Sequence, residues 1–248
     1  MTLAGDSGVT LRLHWSPDSA NIVVRIALEE LGLAFQPVRV DRAAGEHKQP
    51  AYLALNPQGL LPVLEDGDLV LFETGAILLH LADRTGRLGP EGPDAREPQA
   101  RAAFLKWLFY LSNTVHADLR AAFYAPRYVA ARYVSDGAAV PALRAGLAAR
   151  FRQHMDLVAG ELGAAGWLAA DTPTLADFYL AACLRWAQLY PRGAPLIAGY
   201  EIPARLCAPL RLIENRPAVI KAFADEHIGG RPLTMPEPPD LPPDEVTG

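Results

Sequence analysis

Asn56-Pro-Gln-Gly-Leu-Leu-Pro62-Val-Leu-Glu-Asp66-Gly-Asp-Leu-Val-Leu-Phe72-Glu-Thr74-Gly-Ala-Ile-Leu-Leu-His-Leu-Ala82 is the stretch on which the fold turns. Pro62-Val63-Leu64 and Leu69-Val70-Leu71-Phe72 flank Asp66-Gly67-Asp68, the pattern of two strands joined by a hairpin. Thr74 then opens a helix over Ala76–Arg84 that stops at Gly86. A proline entering a strand after a Gly-containing turn cannot donate to the ladder. A cis Leu61–Pro62 bond suits such a turn, and it leaves the Leu61 backbone exposed for pairing with an extended peptide.

Upstream, Leu11–Trp15 alternates apolar and polar residues and reads as a strand. Ile22–Leu31 is too uniformly apolar for an exposed element and suits a buried helix, closed by a left-handed Gly32. Phe35–Val40 reads as a second strand, and a helix between two strands makes the pair parallel with a right-handed crossover. After polar Arg42–Gln49, a short helical piece, Ala51–Leu55, ends at Asn56-Pro57. The order β-α-β, short α, β-β-α describes a small mixed sheet with helices on both faces.

Downstream the rhythm changes. Arg87–Gln99 holds three prolines and two glycines and reads as a linker. Phe104, Trp107, Leu108, Leu111 and Val115 form one apolar stripe, and Leu143, Leu147, Phe151, Met155, Val158 and Leu162 form another. Such one-sided stripes pack as a helical bundle. Thr174-Leu-Ala-Asp177 is a capping-box variant ahead of the apolar run Phe178–Leu184. The expected organisation is a domain at 10–88, a linker at 89–99, a helical domain at 100–230 and a flexible, Pro-rich, acidic tail at 231–248.

The chain has 248 residues and a formal charge of −5, long enough for two modest domains and without the clustered cations of a nucleic-acid footprint. Two cysteines, Cys183 and Cys207, make neither a disulfide framework nor a thiolate zinc site. No apolar run reaches membrane-spanning length and the start lacks the features of a signal peptide, so a cytoplasmic protein is expected. Six scattered histidines have no metal-ligand spacing, and HExxH, GxGxxG, P-loop and GxSxG signatures are absent. No metal is expected.

Chemistry is then sought where loops meet helix starts. Ser16-Pro-Asp18-Ser19-Ala20-Asn21 brings hydroxyls, an amide and free N–H groups to a positive helix end, suited to an anion or thiolate, although plain N-capping by Asp18, Ser19 or Asn21 explains the same residues. Glu73 and Thr74 stand at another helix start, where N–H groups and the Thr74 hydroxyl can hold a carboxylate and Glu73 an ammonium. With the Leu61 backbone between them, these sites suit a small zwitterionic peptide that bears a thiol.

Residues Ser16-Pro, Val24–Gly32, Gly45–Lys48, Tyr52–Gly59 with Pro62-Val-Leu, Asp66–Leu69, Glu73–Ala82 and Thr174–Asp177 together resemble the soluble glutathione transferase family, over about residues 10–228. The resemblance implies a thioredoxin-like domain, then an all-helical domain, in a homodimer with a role in detoxification. It implies Glu73 and Thr74 on the γ-glutamyl group, Leu61 before cis-Pro62 on the cysteinyl unit, and His47 and Lys48 toward the glycyl carboxylate. Tyr110–His116 is similar to a stretch of bacterial beta-class relatives whose His lies near the thiol. The cysteine of that class falls on Ala20 here, so chemistry runs on the sulfur of glutathione. The expected thiolate donor is Ser19, then Asn21, then Ser16. Trp15, Tyr110, Phe123 and Tyr124 are candidate walls for a small electrophile or disulfide. A catalytically weak binding or regulatory protein and a glutathione-dependent isomerase are the alternatives.

Overall fold

The computed structural model describes residues 11–90, 98–129 and 138–241. Its first part runs β1 (Leu11–Trp15), α1 (Asn21–Leu31), β2 (Phe35–Arg39), α2 (Pro50–Leu53), β3 (Val63–Asp66), β4 (Leu69–Phe72) and α3 (Thr74–Thr85). The sheet order is β2-β1-β3-β4, with β1 and β2 parallel and the other pairings antiparallel. This is the thioredoxin-like topology expected from the element order.

Strand alternation divides the sheet's side chains between two layers. Leu11, Leu13 and Leu64 join the buried faces of α1 and α3, including Ile22, Ile26, Ile77 and Leu81. Val63 packs on the opposite side with Val40 and Tyr52 of α2, and Phe72 leans against them. Helix α1 is buried nearly all round because it touches α3 on one side and helices of the second part on another. It ends as the sequence predicts: Gly32 has φ 69° and donates to Glu29 O, while Leu33 donates to Leu28 O. Leu61–Pro62 is cis.

The second part is all helical: α4 (Pro98–Tyr110), a π-helical turn (Leu111–Val115), α5 (His116–Phe123), α6 (Ala125–Tyr128), α7 (Ala139–Glu161), α8 (Leu175–Leu189), α9 (Ala204–Glu214) and α10 (Pro217–Ala224). Phe104, Leu111, Val115, Phe151, Met155 and Val158 are fully buried, so both apolar stripes serve as core. Helix α8 runs through the centre. Its capping box forms, with Asp177 Oδ2 accepting from Thr174 N–H at 2.8 Å, and Asp177 Oδ1 also receives Leu168 N–H at 2.9 Å. Among the described residues, no helix is long and apolar enough to cross a membrane.

Two expectations meet a different chain. Most of the 89–99 linker, residues 91–97, lies outside the described residues, as do 242–248 of the tail. Residues 231–241, expected to be flexible, are held in place. Glu214 Oε1 accepts from Leu233 and Thr234 N–H at 2.8 Å each, and Arg185 donates to Pro232 O at 2.8 Å and Glu237 O at 2.9 Å. Leu233, within this segment, is itself buried. The proline-rich, acidic composition suggested mobility; the segment is instead held by its own buried Leu233 and by Glu214 and Arg185 on distant helices.

Candidate functional site

A cavity of about 260 Å³ opens between the sheet and the helical part. From the sheet side it is lined by the loop Asp18-Ser19-Ala20, the loop from Asn56 to Pro62, and Glu73 with Thr74. From the helical side come residues of α5 and α8, among them His116, Arg120, Phe123 and Trp186.

The first loop is locked by groups far away in sequence. Asp18 has φ 50° and is buried. Arg185 Nε and Nη2 grip its carboxylate at 2.9 Å each, and Tyr190 OH donates to it at 2.7 Å. Asp18 N–H donates to Glu226 Oε2 at 2.9 Å. Glu226 Oε1 receives Asn21 Nδ2 at 2.6 Å and Arg25 Nε at 3.0 Å. Asn21 Oδ1 in turn accepts from Ser16 N–H at 2.9 Å and from the Ser19 hydroxyl. No side chain caps α1 in the ordinary way.

This network sorts the three candidate donors. Ser19 and Ala20 line the cavity, whereas Ser16 and Asn21 do not. Asn21 is wholly buried and its amide is spent on Ser16, Ser19 and Glu226, so it supports the loop from beneath. Cys183 and Cys207 are likewise outside the lining.

Burial pushes the Glu226 carboxyl up to about 8, against the pull of the Arg25 guanidinium. The sign follows from proton counting. An unfolded glutamate loses its proton near pH 4.3, so between about 4.5 and 8 the folded protein binds one proton more. Stability therefore falls as pH rises through that window, by at most about 1.4 kcal/mol per pH unit. Urea unfolding at pH 5, 6, 7 and 8 checks this: Glu226→Gln should flatten the slope, and an unchanged slope would place the titration elsewhere.

The second loop presents backbone. Tyr52 OH and Asn56 Nδ2 both donate to Leu60 O, at 2.7 and 2.9 Å, while Gln58 N–H donates to Asn56 Oδ1 at 3.1 Å. The Leu61 N–H and carbonyl make no hydrogen bond among the described residues, and Leu61 lines the cavity. Gly59 has φ 62°, and a Cβ there would stand 2.8 Å from the His47 carbonyl; only glycine lets this loop close onto the 3₁₀ turn Glu46–Lys48. His47 and Lys48 themselves do not line the cavity. They extend a positive cluster whose member Arg42 does, and the His47 pKa is lowered by burial and by Arg42, Lys48 and Arg127.

At the opposite end stand Glu73 and Thr74. Glu73 holds φ 76° and ψ 112°, outside the comfortable regions for a side-chain-bearing residue, just before α3. Gln58 Nε2 donates to its carboxylate at 3.3 Å. Behind Thr74 lies Tyr179, whose hydroxyl is 2.7 Å from His116 Nδ1. His116 also lies against Trp186, ring centroids 5.0 Å apart, and burial together with Arg120 lowers its pKa to about 4. It is neutral at physiological pH.

Two of the four candidate walls are in place. Phe123 and Tyr124 line the cavity, with Arg42 Nη2 donating to Tyr124 OH at 3.2 Å. Trp15 and Tyr110 do not. The Trp15 ring carries the Arg25 guanidinium 4.5 Å from its centroid, and Tyr110 OH is 2.6 Å from His154 Nδ1. Both aromatics are committed to packing. Sequence reasoning missed Asp18, Arg185 and Glu226 as one network; the signal was an arginine inside the apolar run of α8. It also missed Tyr179, Trp186, Tyr190 and Arg120 in the wall. Among the described residues no cluster of His, Cys, Asp or Glu could hold a metal ion.

Residues 9–83 match the family Glutathione S-transferase, N-terminal domain, and residues 141–204 match Glutathione S-transferase, C-terminal domain. The chain is 37% identical to Glutathione S-transferase 3 of Zea mays over 169 residues, covering 67% of this chain and 73% of that protein. It is 31% identical to Glutathione S-transferase GST-4.5 of Xanthomonas campestris over 177 residues, 71% of this chain and 82% of the relative. Among solved structures, a glutathione transferase homologue from Sulfitobacter with bound glutathione superposes with a TM-score of 0.70 at 28% identity, covering 88% of this chain and 98% of that one.

Proposed function

The chain belongs to the glutathione transferase superfamily, and on that footing we propose that its cavity binds glutathione and activates the thiol for attack on a small electrophile or a disulfide. The carrying observation is the line of three features along one wall: Glu73 and Thr74 at a helix start, the unpaired Leu61 backbone before Pro62, and Ser19 with Ala20 at the start of α1. Glutathione has matching parts in matching order. Its γ-glutamyl ammonium meets Glu73 and its α-carboxylate the Thr74 end, the cysteinyl peptide pairs with Leu61, and the glycyl carboxylate points toward Arg42, with His47 and Lys48 behind. The thiol then falls at Ser19 and the free N–H groups of the first α1 turn, which favour the thiolate. With Ala20 where beta-class relatives carry cysteine, the protein contributes no sulfur of its own. A homodimer is part of the same reading, supported by the exposed apolar edge Leu69-Val70 of β4.

Titration of bound glutathione by its ultraviolet thiolate absorbance tests this. The bound thiol is expected to ionise about one to two pH units below the free value near 8.5, and Ser19→Ala to return about one unit of that shift. A bound pKa no lower than the free peptide's overturns thiol activation. A low pKa retained in Ser19→Ala moves the donor role to the α1 N–H groups. One observation favours a weakly turning-over binding protein: the Ser19 hydroxyl is already engaged by Asn21 Oδ1. Binding without any lowering of the thiol pKa would select that reading.

A further inference from the structure

Beyond the residues assigned to glutathione, the helical wall of the cavity is rich in donors and holds no carboxylate. Trp186 is only 3% exposed, yet its indole Nε1–H has no acceptor. A buried donor left unmade is costly and uncommon in native proteins. Arg120, on α5, is exposed at the cavity mouth and makes no side-chain hydrogen bond or ion pair among the described residues. His116 links the two, since its ring lies against Trp186 and it feels the Arg120 charge. The cavity's two carboxylates do not answer them: Asp18 is saturated by Arg185 and Tyr190, and Glu73 lies at the γ-glutamyl end. Beside the donors stand the flat faces of Phe123 and Tyr124, the latter stiffened by Arg127 stacked 4.3 Å from its centroid.

We propose that the co-substrate is an aromatic electrophile carrying an acidic oxygen group, a carboxylate or sulfonate, whose ring packs on Phe123 and Tyr124 and whose anion is met by Arg120 and the Trp186 N–H. The proposal rests on the glutathione reading and names the substrate class of that same site. The physical ground is the surplus of donors: a neutral hydrophobic compound would take water from the exposed Arg120 without supplying a counter-charge and still leave Trp186 unpaired. An acidic oxygen satisfies both, through charge-assisted bonds of the stronger kind.

Two probes differing in one carboxylate make the test, 4-chloro-3,5-dinitrobenzoate and 2-chloro-1,3-dinitrobenzene. In both, glutathione sulfur bonds to the ring carbon bearing chlorine, chloride leaves with the bonding pair, and the thiol proton passes to solvent. For the full-length protein, kcat/KM with each probe, corrected for its uncatalysed rate, and calorimetric Kd for each S-conjugate are measured. Arg120→Gln is expected to reduce the ratio of kcat/KM values, carboxylated over neutral, about tenfold and to weaken the carboxylated conjugate about tenfold more than the neutral one. Trp186→Phe, which removes only the N–H, should act in the same direction by a smaller factor. Parallel changes for both conjugates, within twofold, overturn the proposal while leaving glutathione binding intact. An equal loss for glutathione itself overturns it by assigning Arg120 to the tripeptide. If neither glutathione nor either conjugate binds the wild type, the glutathione reading fails and takes this one with it.

Discussion

Arg185→Met is expected to destabilise the fold by about 3–5 kcal/mol, because it strands a buried carboxylate. Arg185 and Asp18 are both fully enclosed, and Arg185 supplies two of the three donors to that carboxylate. The same guanidinium also holds the carbonyls of Pro232 and Glu237, so its loss frees the segment after α10 as well. Asp18→Asn on the Arg185→Met background separates the causes. Asparagine tolerates positive φ and needs no counter-ion, so it should recover most of the loss if the stranded charge dominates. Urea midpoints of wild type, single and double variants read the result. A single variant within about 1 kcal/mol of wild type would overturn the stranded-charge argument. The glutathione site should follow stability: Asp18 adjoins Ser19, so loosening its carboxylate moves the start of α1, and affinity should fall with the single variant and return with the double.

The same network explains where the sequence is readable and where it is not. The αL stop at Gly32, the hairpin at Asp66–Asp68, the cis-proline turn and the Thr174–Asp177 box all depend on neighbours within a few positions, so local chemistry announces them. The sheet pairs residues far apart, such as Leu13 with Leu64, and was legible through strand periodicity and element order. Glu73 and Thr74 were legible for the same reason, standing at a helix start next to a strand end. The donor loop was not. Its shape is set by Arg185, Tyr190 and Glu226, which lie 167, 172 and 208 residues from their partners on that loop. Asn21 looked like a donor from its position at a helix start, yet Glu226 turns its amide inward. Trp15 and Tyr110 failed for a related reason: an aromatic side chain suits a pocket wall and a core equally, and here Arg25 and His154 claim them. The segment 231–241 looked mobile because its anchors, Glu214 and Arg185, belong to other helices.

Glu73→Gly should move stability and affinity in opposite directions. At φ 76° and ψ 112° a residue with a Cβ is held outside its favoured regions, which costs of order 1–3 kcal/mol, whereas glycine adopts such values freely. Glycine's greater unfolded-state freedom takes back about 0.5–1 kcal/mol, leaving a net gain of about 1 kcal/mol. The Gln58 hydrogen bond lost with it is long and exposed and adds little. Affinity for glutathione should fall about 10- to 100-fold, since a hydrogen bond to a charged group contributes about 1.5–3 kcal/mol. Glu73→Gln divides the two effects. It keeps the Cβ and the strained backbone but removes the charge, so affinity should drop without any rise in melting temperature. Thermal unfolding and calorimetric titration on the same three proteins decide the matter. A Glu73→Gly protein that melts lower than wild type denies the backbone cost, and one that binds glutathione as tightly as wild type removes Glu73 from the ammonium. Both results as expected would mean that this residue is kept in an unfavourable conformation because only from there does its carboxylate reach the ligand.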